Sequence, residues 1–405
     1  MNKPKYIAKL ENVPQFRELP QEQQAALLAV TRRYAFRSNE YYQSLIDWND
    51  PEDPIRRIVF PCEDELEAWG QLDASGEHHY ARVPGLEHKY PDTAVLLASD
   101  VCGALCRFCF RKRLFMADNE EVARDISAGL DYIRQHPEIN NVLVTGGDPL
   151  LLSTRRLREI LVQLRAIDHV RIIRLGSKMP AFNPYRFLDD PELLEVLRTH
   201  SHQDSRLYLM AQFNHPRELT EPARRAMALV QQSGVMVMNQ TPLIRGVNDD
   251  AEVLGELLNT LSYLGIAPYY VFQCRPTEGN ATYTLPVEEG YQIFANALVA
   301  CSGLARRCRY VMSHASGKIE VAGLTKDHVH FRYHRPANPD ENLARLLVCA
   351  RNPEAYWLDD YREAAALLAQ KTLPAYGKCG YPGNAKPTSK APLRALSHSK
   401  KSTPK

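Results

Sequence analysis

TAVLLASDVCGALCRFCFRKR, residues 93–113, runs an apolar, β-rich segment straight into three cysteines, Cys102, Cys106 and Cys109. Its first eight residues suit a strand covered on both faces, because the apolar run is continuous rather than alternating. Five further runs of this kind follow: NVLVTGG at 141–147, VRIIRLGS at 170–177, RLYLMAQFN at 206–214, VMVMNQTPLI at 235–244 and APYYVFQC at 267–274. Amphipathic stretches separate them, among them residues 119–136 and 221–234, the latter closing on the helix-ending Gly234. Six strands alternating with helices predict an α/β fold on a parallel sheet, open or rolled into a full or partial barrel. The cysteines then lie on the loop at the carboxyl end of the first strand, the end that carries active sites in β/α barrels.

Outward from this core the pattern changes. From about residue 18 to 48 it is helical, with Leu27, Leu28 and Val30 on a buried face, until Pro51, Pro54 and Pro61 interrupt it. After the sixth strand a helix near 287–300 precedes short β-like pieces at 309–313, 318–323 and 328–334, joined by Gly317 and Gly323. The expected organisation is an N-terminal helical region over 1–88, a β/α core over 89–300, a β-rich region over 301–372 and a disordered basic tail over 373–405.

Lys plus Arg number 50 against 48 Asp plus Glu, so the net charge of +2 gives no reason to expect nucleic acid or an anionic membrane. No run approaches the roughly twenty apolar residues of a membrane span, and the N-terminus lacks a signal peptide's apolar stretch, so a cytoplasmic protein is expected. Nine cysteines scattered over a long chain do not form a disulfide framework, and reduced thiols are expected. Three of them within eight residues point to metal.

Thiolates suit zinc or iron–sulfur clusters. A structural zinc site would want a fourth Cys or His at short spacing, and none follows. Ferredoxin clusters are held by four cysteines, so three ligands leave one iron of a four-iron cluster open. The C-x3-C-x2-C spacing, with Phe108 before the last cysteine, resembles that of the radical S-adenosylmethionine superfamily. The resemblance implies a partial (β/α)6 barrel of radical SAM type, a [4Fe-4S] cluster on Cys102, Cys106 and Cys109, and S-adenosylmethionine on the open iron. An electron from the cluster there breaks the sulfonium C–S bond to give a 5′-deoxyadenosyl radical. Gly146, Gly147 and Asp148, ending the second strand, resemble the superfamily's glycine-rich stretch for the methionine amino group; paired glycines permit close backbone approach, and the acid can accept from an ammonium.

Segments from about residue 40 to 335 are similar to the lysine 2,3-aminomutase family, including YYQSLIDWNDPEDPIRR at 41–57, VPGLEHKYPD at 83–92, CRFCFRKR at 106–113, QFNHPRELT at 212–220, NQTPLIRGVND at 239–249 and PYYVFQC at 268–274. This implies an isomerase that also uses pyridoxal 5′-phosphate and moves an α-amino group to the neighbouring carbon. Lys318, in SHASGKIEV, matches the lysine that holds the cofactor as a Schiff base. Lys89 and Tyr90 match positions that contact it, whereas Thr93 stands where lysine aminomutases carry an arginine, so part of the phosphate grip must come from elsewhere. Arg111 matches the arginine for the substrate carboxylate, a task suited to a planar guanidinium. Lysine-specific members hold the distal ammonium with two aspartates. Here the first position is Arg275 and the second falls among Met312, Ser313 and His314.

An arginine facing an ammonium is repulsive, so the expected substrate is an acidic or neutral free amino acid, glutamate among them, with Arg275 setting specificity unless it pairs with Glu278 or Asp148. Two other readings stand beside this one: a radical enzyme without pyridoxal phosphate acting on another small molecule or a modified residue, and a non-catalytic iron–sulfur protein. Expected partners are the amino acid, a reductant such as flavodoxin or ferredoxin, and further copies of the chain in a homo-oligomer, with neither nucleic acid nor membrane. His215 and Asn214 are candidates to line the pocket.

Overall fold

The computed structural model describes residues 4–116, 121–338 and 346–369. A two-stranded ladder, β1 (Tyr6–Ile7) with β2 (Ser38–Asn39), precedes one twelve-stranded sheet. Its strands are β3 (Ala81–Val83), β4 (Leu86–Tyr90), β5 (Thr93–Ser99), β6 (Asn141–Gly146), β7 (Ile172–Ser177), β8 (Leu207–Ala211), β9 (Met236–Leu243), β10 (Ala267–Gln273), β11 (Arg309–His314), β12 (Gly317–Leu324), β13 (His328–Pro336) and β14 (Leu346–Ala350), and each pairs with its neighbours in chain order. All six expected strands are present as β5–β10 and run parallel. A seventh, β11, continues the parallel run, and β12–β14 turn back antiparallel, as do β3 and β4 at the opposite edge.

The strands alternate by side. Ile173 and Leu175 of β7 face the helices in the main core with Leu161, Leu164 and Val196, while Arg174 between them is only partly buried. Tyr270 and Phe272 of β10 face the Lys318 ammonium at 5.3 and 5.0 Å from their ring centres. The sheet therefore curls around an interior that polar groups reach. Side chains bridge its two ends: Lys89 donates to the His314 carbonyl, Tyr80 Oη to Ala315 O at 2.6 Å, and Ser75 Oγ to Ser313 O at 3.2 Å. Residues 70–80 cross the carboxyl ends of the strands, with Gln71 N bonded to Pro276 O at 3.0 Å. Gly70 is required there, because at φ 73° an added Cβ would sit 2.3 Å from the Pro276 oxygen.

Three local expectations are corrected. The helix expected over 119–136 begins at Ser127; upstream of it Ala123 N bonds to Leu97 O and the Glu121 carboxylate pairs with Arg113, which holds that stretch against β5 and its loop. The helical pattern over 18–48 splits into Gln21–Arg33 and Glu40–Gln43, because between them the Ala35 and Arg37 carbonyls and the Asn39 amide bond the cysteine loop while Ser38 and Asn39 pair with β1. Gly323 is no joint: it lies in β12 at a bulge, and the turn is made by Thr325 N bonding to His328 O. The tail expected over 373–405 lies outside the described residues. Among the described residues no helix is long and apolar enough to cross a membrane.

Candidate active site

The loop after β5 is fixed from several sides. Leu105 N bonds to Arg37 O and Arg107 N to Ile58 O, each at 2.9 Å, and Asn39 Nδ2 reaches Gly103 O at 3.4 Å. Arg107, between the second and third cysteines, is 2% exposed and forks onto Glu65, Nε to Oε1 at 2.9 Å and Nη2 to Oε2 at 2.7 Å. A guanidinium–carboxylate pair this deep is costly to break, since the surviving charge would be stranded without water. Asn280 Nδ2 donates to Phe108 O at 3.0 Å and Lys112 Nζ to Gly279 O at 2.8 Å. Cys102, Cys106 and Cys109 are thus held on one loop as free thiols. Burial pushes all three upward, so deprotonation needs a cation to draw it. Among the described residues no three His, Cys, Asp or Glu side chains are gathered closely enough for a single ion.

The glycines after β6 face their own chain. Gly147 N bonds to Ser99 O and Asp148 N to Val101 O at 2.7 Å, and a Cβ on Gly147 would stand 2.3 Å from the Val101 oxygen. Gly146, at φ 114°, would bring its Cβ within 2.5 Å of Ser99 O. Asp148 accepts from Leu150 N at 3.0 Å, Ser177 Oγ at 2.9 Å, Lys178 N at 2.8 Å and Met179 N at 3.2 Å, and burial raises its carboxyl to about 6. It ties the ends of β6 and β7 together beside Cys102.

Arg111 and Arg275 converge on one carboxylate. Arg111 donates to Glu77 through Nε at 3.2 Å and Nη2 at 3.0 Å, Arg113 Nη2 reaches Glu77 Oε2 at 2.7 Å, and Arg275 Nη1 lies 3.4 Å from Glu77 Oε1. Arg275 also stacks on Phe110, 3.7 Å from its ring centre. It pairs with neither Glu278, which takes Arg33 and Tyr34, nor Asp148. Despite its burial Glu77 stays ionised, held down by Arg111, Arg113 and Arg275. Glu87, 7% exposed, has Oε2 3.5 Å from Arg111 Nη2 and no partner for Oε1 among the described residues.

Lys318 lies at the start of β12, close to Arg275, Lys89 and Arg174. Its ammonium donates to Ser313 Oγ at 3.0 Å and stands over the Tyr270 and Phe272 rings. Desolvation, then Arg275, Lys89 and Arg174, push it well below the ordinary lysine value. Lys89 is lowered to about 7, by desolvation first and Arg275 next, and sits 5.6 Å from the Tyr90 ring centre.

Residues 96–258 match the Radical SAM superfamily. A protein of Aquifex aeolicus (strain VF5) named "Putative L-lysine 2,3-aminomutase" is 58% identical over 363 residues, 89% of this chain and 96% of its own length. The chain belongs to the lysine 2,3-aminomutase family. The L-lysine 2,3-aminomutase of Clostridium subterminale is 38% identical over 290 residues, 71% of this chain and 68% of that one. A radical SAM methyltransferase from Sphaerobacter thermophilus, 20% identical with a TM-score of 0.37 over 56% of this chain and 68% of that one, is too distant to bear on the argument. Membership in a radical SAM aminomutase family brings the [4Fe-4S] cluster and S-adenosylmethionine, together with a small-molecule substrate and an external reductant. Three unpaired thiols on one braced loop fit such a cluster.

Several groups of this aminomutase-family site escaped the sequence reading. Glu77 lies outside the six-strand pattern and the family-like segments, and Glu87, though inside VPGLEHKYPD at 83–92, precedes the first of those strands. Lys178, 5% exposed, donates to Glu218 Oε1 at 2.6 Å and Asn214 Oδ1 at 3.0 Å, with Tyr42 Oη on the same Glu218 oxygen. Asn214 is buried in that network and its Nδ2 has no partner among the described residues, while His215 caps the turn Pro216–Glu218. Asn214 and His215, already candidates to line the pocket, share the family-like segment 212–220 with Glu218, and Tyr42 falls in the one at 41–57; for Lys178 the signal was its place just after β7.

Proposed function

We propose that this family member is a pyridoxal phosphate-dependent 2,3-aminomutase acting on a free amino acid other than lysine, acidic or neutral, with glutamate the first candidate. The observation that carries the cofactor reading is Lys318: bonded to Ser313 Oγ, over the Tyr270 and Phe272 rings, and in surroundings whose burial and nearby cations disfavour the ammonium, it is placed to act as the nucleophile that a carbonyl needs. Pyridoxal phosphate, when bound, supplies delocalisation of an unpaired electron while the amino group moves between neighbouring carbons. Cys102, Cys106 and Cys109 hold the cluster, and Gly146, Gly147 and Asp148 shape the wall beside it for S-adenosylmethionine. Lys89 and Tyr90 flank the cofactor lysine.

Arg111 takes the substrate carboxylate with a guanidinium whose current partner is Glu77. Arg275 decides specificity. Its charge stands near Lys318 and repels a distal ammonium, and its contact with Glu77 is longer than the bonds that Arg111 and Arg113 make there, which leaves it the freest of the three to meet a distal carboxylate.

The test is a strictly anaerobic screen of labelled glutamate, aspartate, glutamine and lysine with reductant, reading 5′-deoxyadenosine and β-amino acid. Conversion of an acidic or neutral amino acid is expected; preferential β-lysine formation would refute the substrate. Separately, the absorption band of lysine-bound pyridoxal should form with wild type and vanish in Lys318→Ala. Its absence from wild type would return the protein to a radical SAM enzyme without pyridoxal phosphate.

A further inference from the structure

The position where lysine aminomutases carry a phosphate-binding arginine is Thr93 here, and a different guanidinium reaches it. Arg335 of β13 donates from Nη2 to Thr93 Oγ1 at 2.9 Å and to Asp92 Oδ1, and lies 4.3 Å from the Tyr90 ring centre. In the β12–β13 ladder Arg335 is the register partner of Lys318, so the two side chains are cross-strand neighbours. Both bonds of Arg335 use Nη2. Its Nε and Nη1 have no acceptor among the described residues.

The surroundings favour an anion. Lys89, Arg174 and Arg275 all lie near enough to Lys318 to act on its charge, and Arg174, whose Nε bonds only the neutral Asn141 Oδ1 at 2.9 Å, has no carboxylate partner among the described residues. Glu77 answers Arg275, and the half-exposed Asp92 answers Arg335. Gathering three guanidiniums, Arg174, Arg275 and Arg335, around two amines whose protonation burial disfavours leaves a cationic pocket that a multiply charged ligand would compensate. A phosphate monoester has three terminal oxygens, and a guanidinium fork can engage two of them at once.

We propose that Arg335 supplies the guanidinium that position 93 lacks and grips the phosphate of pyridoxal phosphate held at Lys318, with Asp92 and Thr93 orienting the fork. This rests on the cofactor reading above. It makes the antiparallel extension part of the cofactor site rather than an appendage to the barrel.

The experiment titrates the full chain with pyridoxal phosphate and with pyridoxal, which lacks the phosphate, following the band of the lysine-bound ligand and the thermal midpoint. Arg335→Gln should weaken pyridoxal phosphate about ten- to a hundredfold, the range for a lost charge-assisted bond, and leave pyridoxal unchanged. Thr93→Arg/Arg335→Gln should recover the phosphate-bearing ligand selectively. Equal losses for both ligands, or no loss for either, overturn the inference. Should Arg335→Gln fail to fold, Arg335→Lys serves, with a smaller loss confined to pyridoxal phosphate expected and a loss shared with pyridoxal overturning it. A wild type that binds neither ligand refutes the cofactor reading itself, a different result from a wild type that binds both and a variant that matches it.

Discussion

Glu87 lies beside the ionised Glu77 and away from water, and these two causes, burial first, raise its carboxyl to about 8. An unfolded chain releases the same proton at about 4.3. Between these values the folded protein holds a proton that the unfolded chain has lost, so this group's contribution to stability falls as pH rises through that window and levels off above it. In Glu87→Gln that slope disappears. Thermal melts should show the variant gaining on wild type steadily from about pH 5 to about pH 8, and a gap that stays constant over that range would count against the shift. Sequence gave no reason to single out Glu87, because its chemistry comes from its neighbours. Cys102, Cys106 and Cys109 were legible for the opposite reason: their spacing lies within one loop and is written locally.

At the scale of elements, the loop after β5 and the turn after β6 form one unit. Gly147 packs directly on Val101, the residue before the first cysteine. Gly147→Ala should cost about 1–3 kcal/mol of stability, as overpacking of close backbone does, and should displace Cys102. The checks are the thermal midpoint and the iron bound after reconstitution; a variant with full iron content and unchanged midpoint would show that the turn has room to move. Element type followed from periodicity, and all six strands were readable because each is a continuous apolar run. Their neighbours were less so. The stretch before Ser127 has a helical composition, yet its Glu121 and Ala123 are claimed by Arg113 and by the Leu97 carbonyl. Tertiary partners override local propensity there.

For the whole molecule, the cysteine loop joins the N-terminal region to the barrel: Arg37, Ile58 and Glu65 hold it on one side and Gly279 and Asn280 on the other. A cluster bound to this loop favours the folded state over the unfolded one. Anaerobic reconstitution should therefore raise the thermal midpoint of the full chain, and Cys106→Ser should lose most of that rise. Equal rises in both proteins would place the iron elsewhere.

The sequence by itself determined the order of strands, the loop that carries the thiols and the family to which the chain belongs, since each is encoded in residues close together along the chain. Only the tertiary structure decided which charges meet. Arg275 faces Glu77 across 198 residues, and Arg335 reaches Thr93 across 242. Such pairs are set by the curling of the sheet, which brings its two antiparallel edges together, and electrostatic energy depends on that distance in space rather than along the chain.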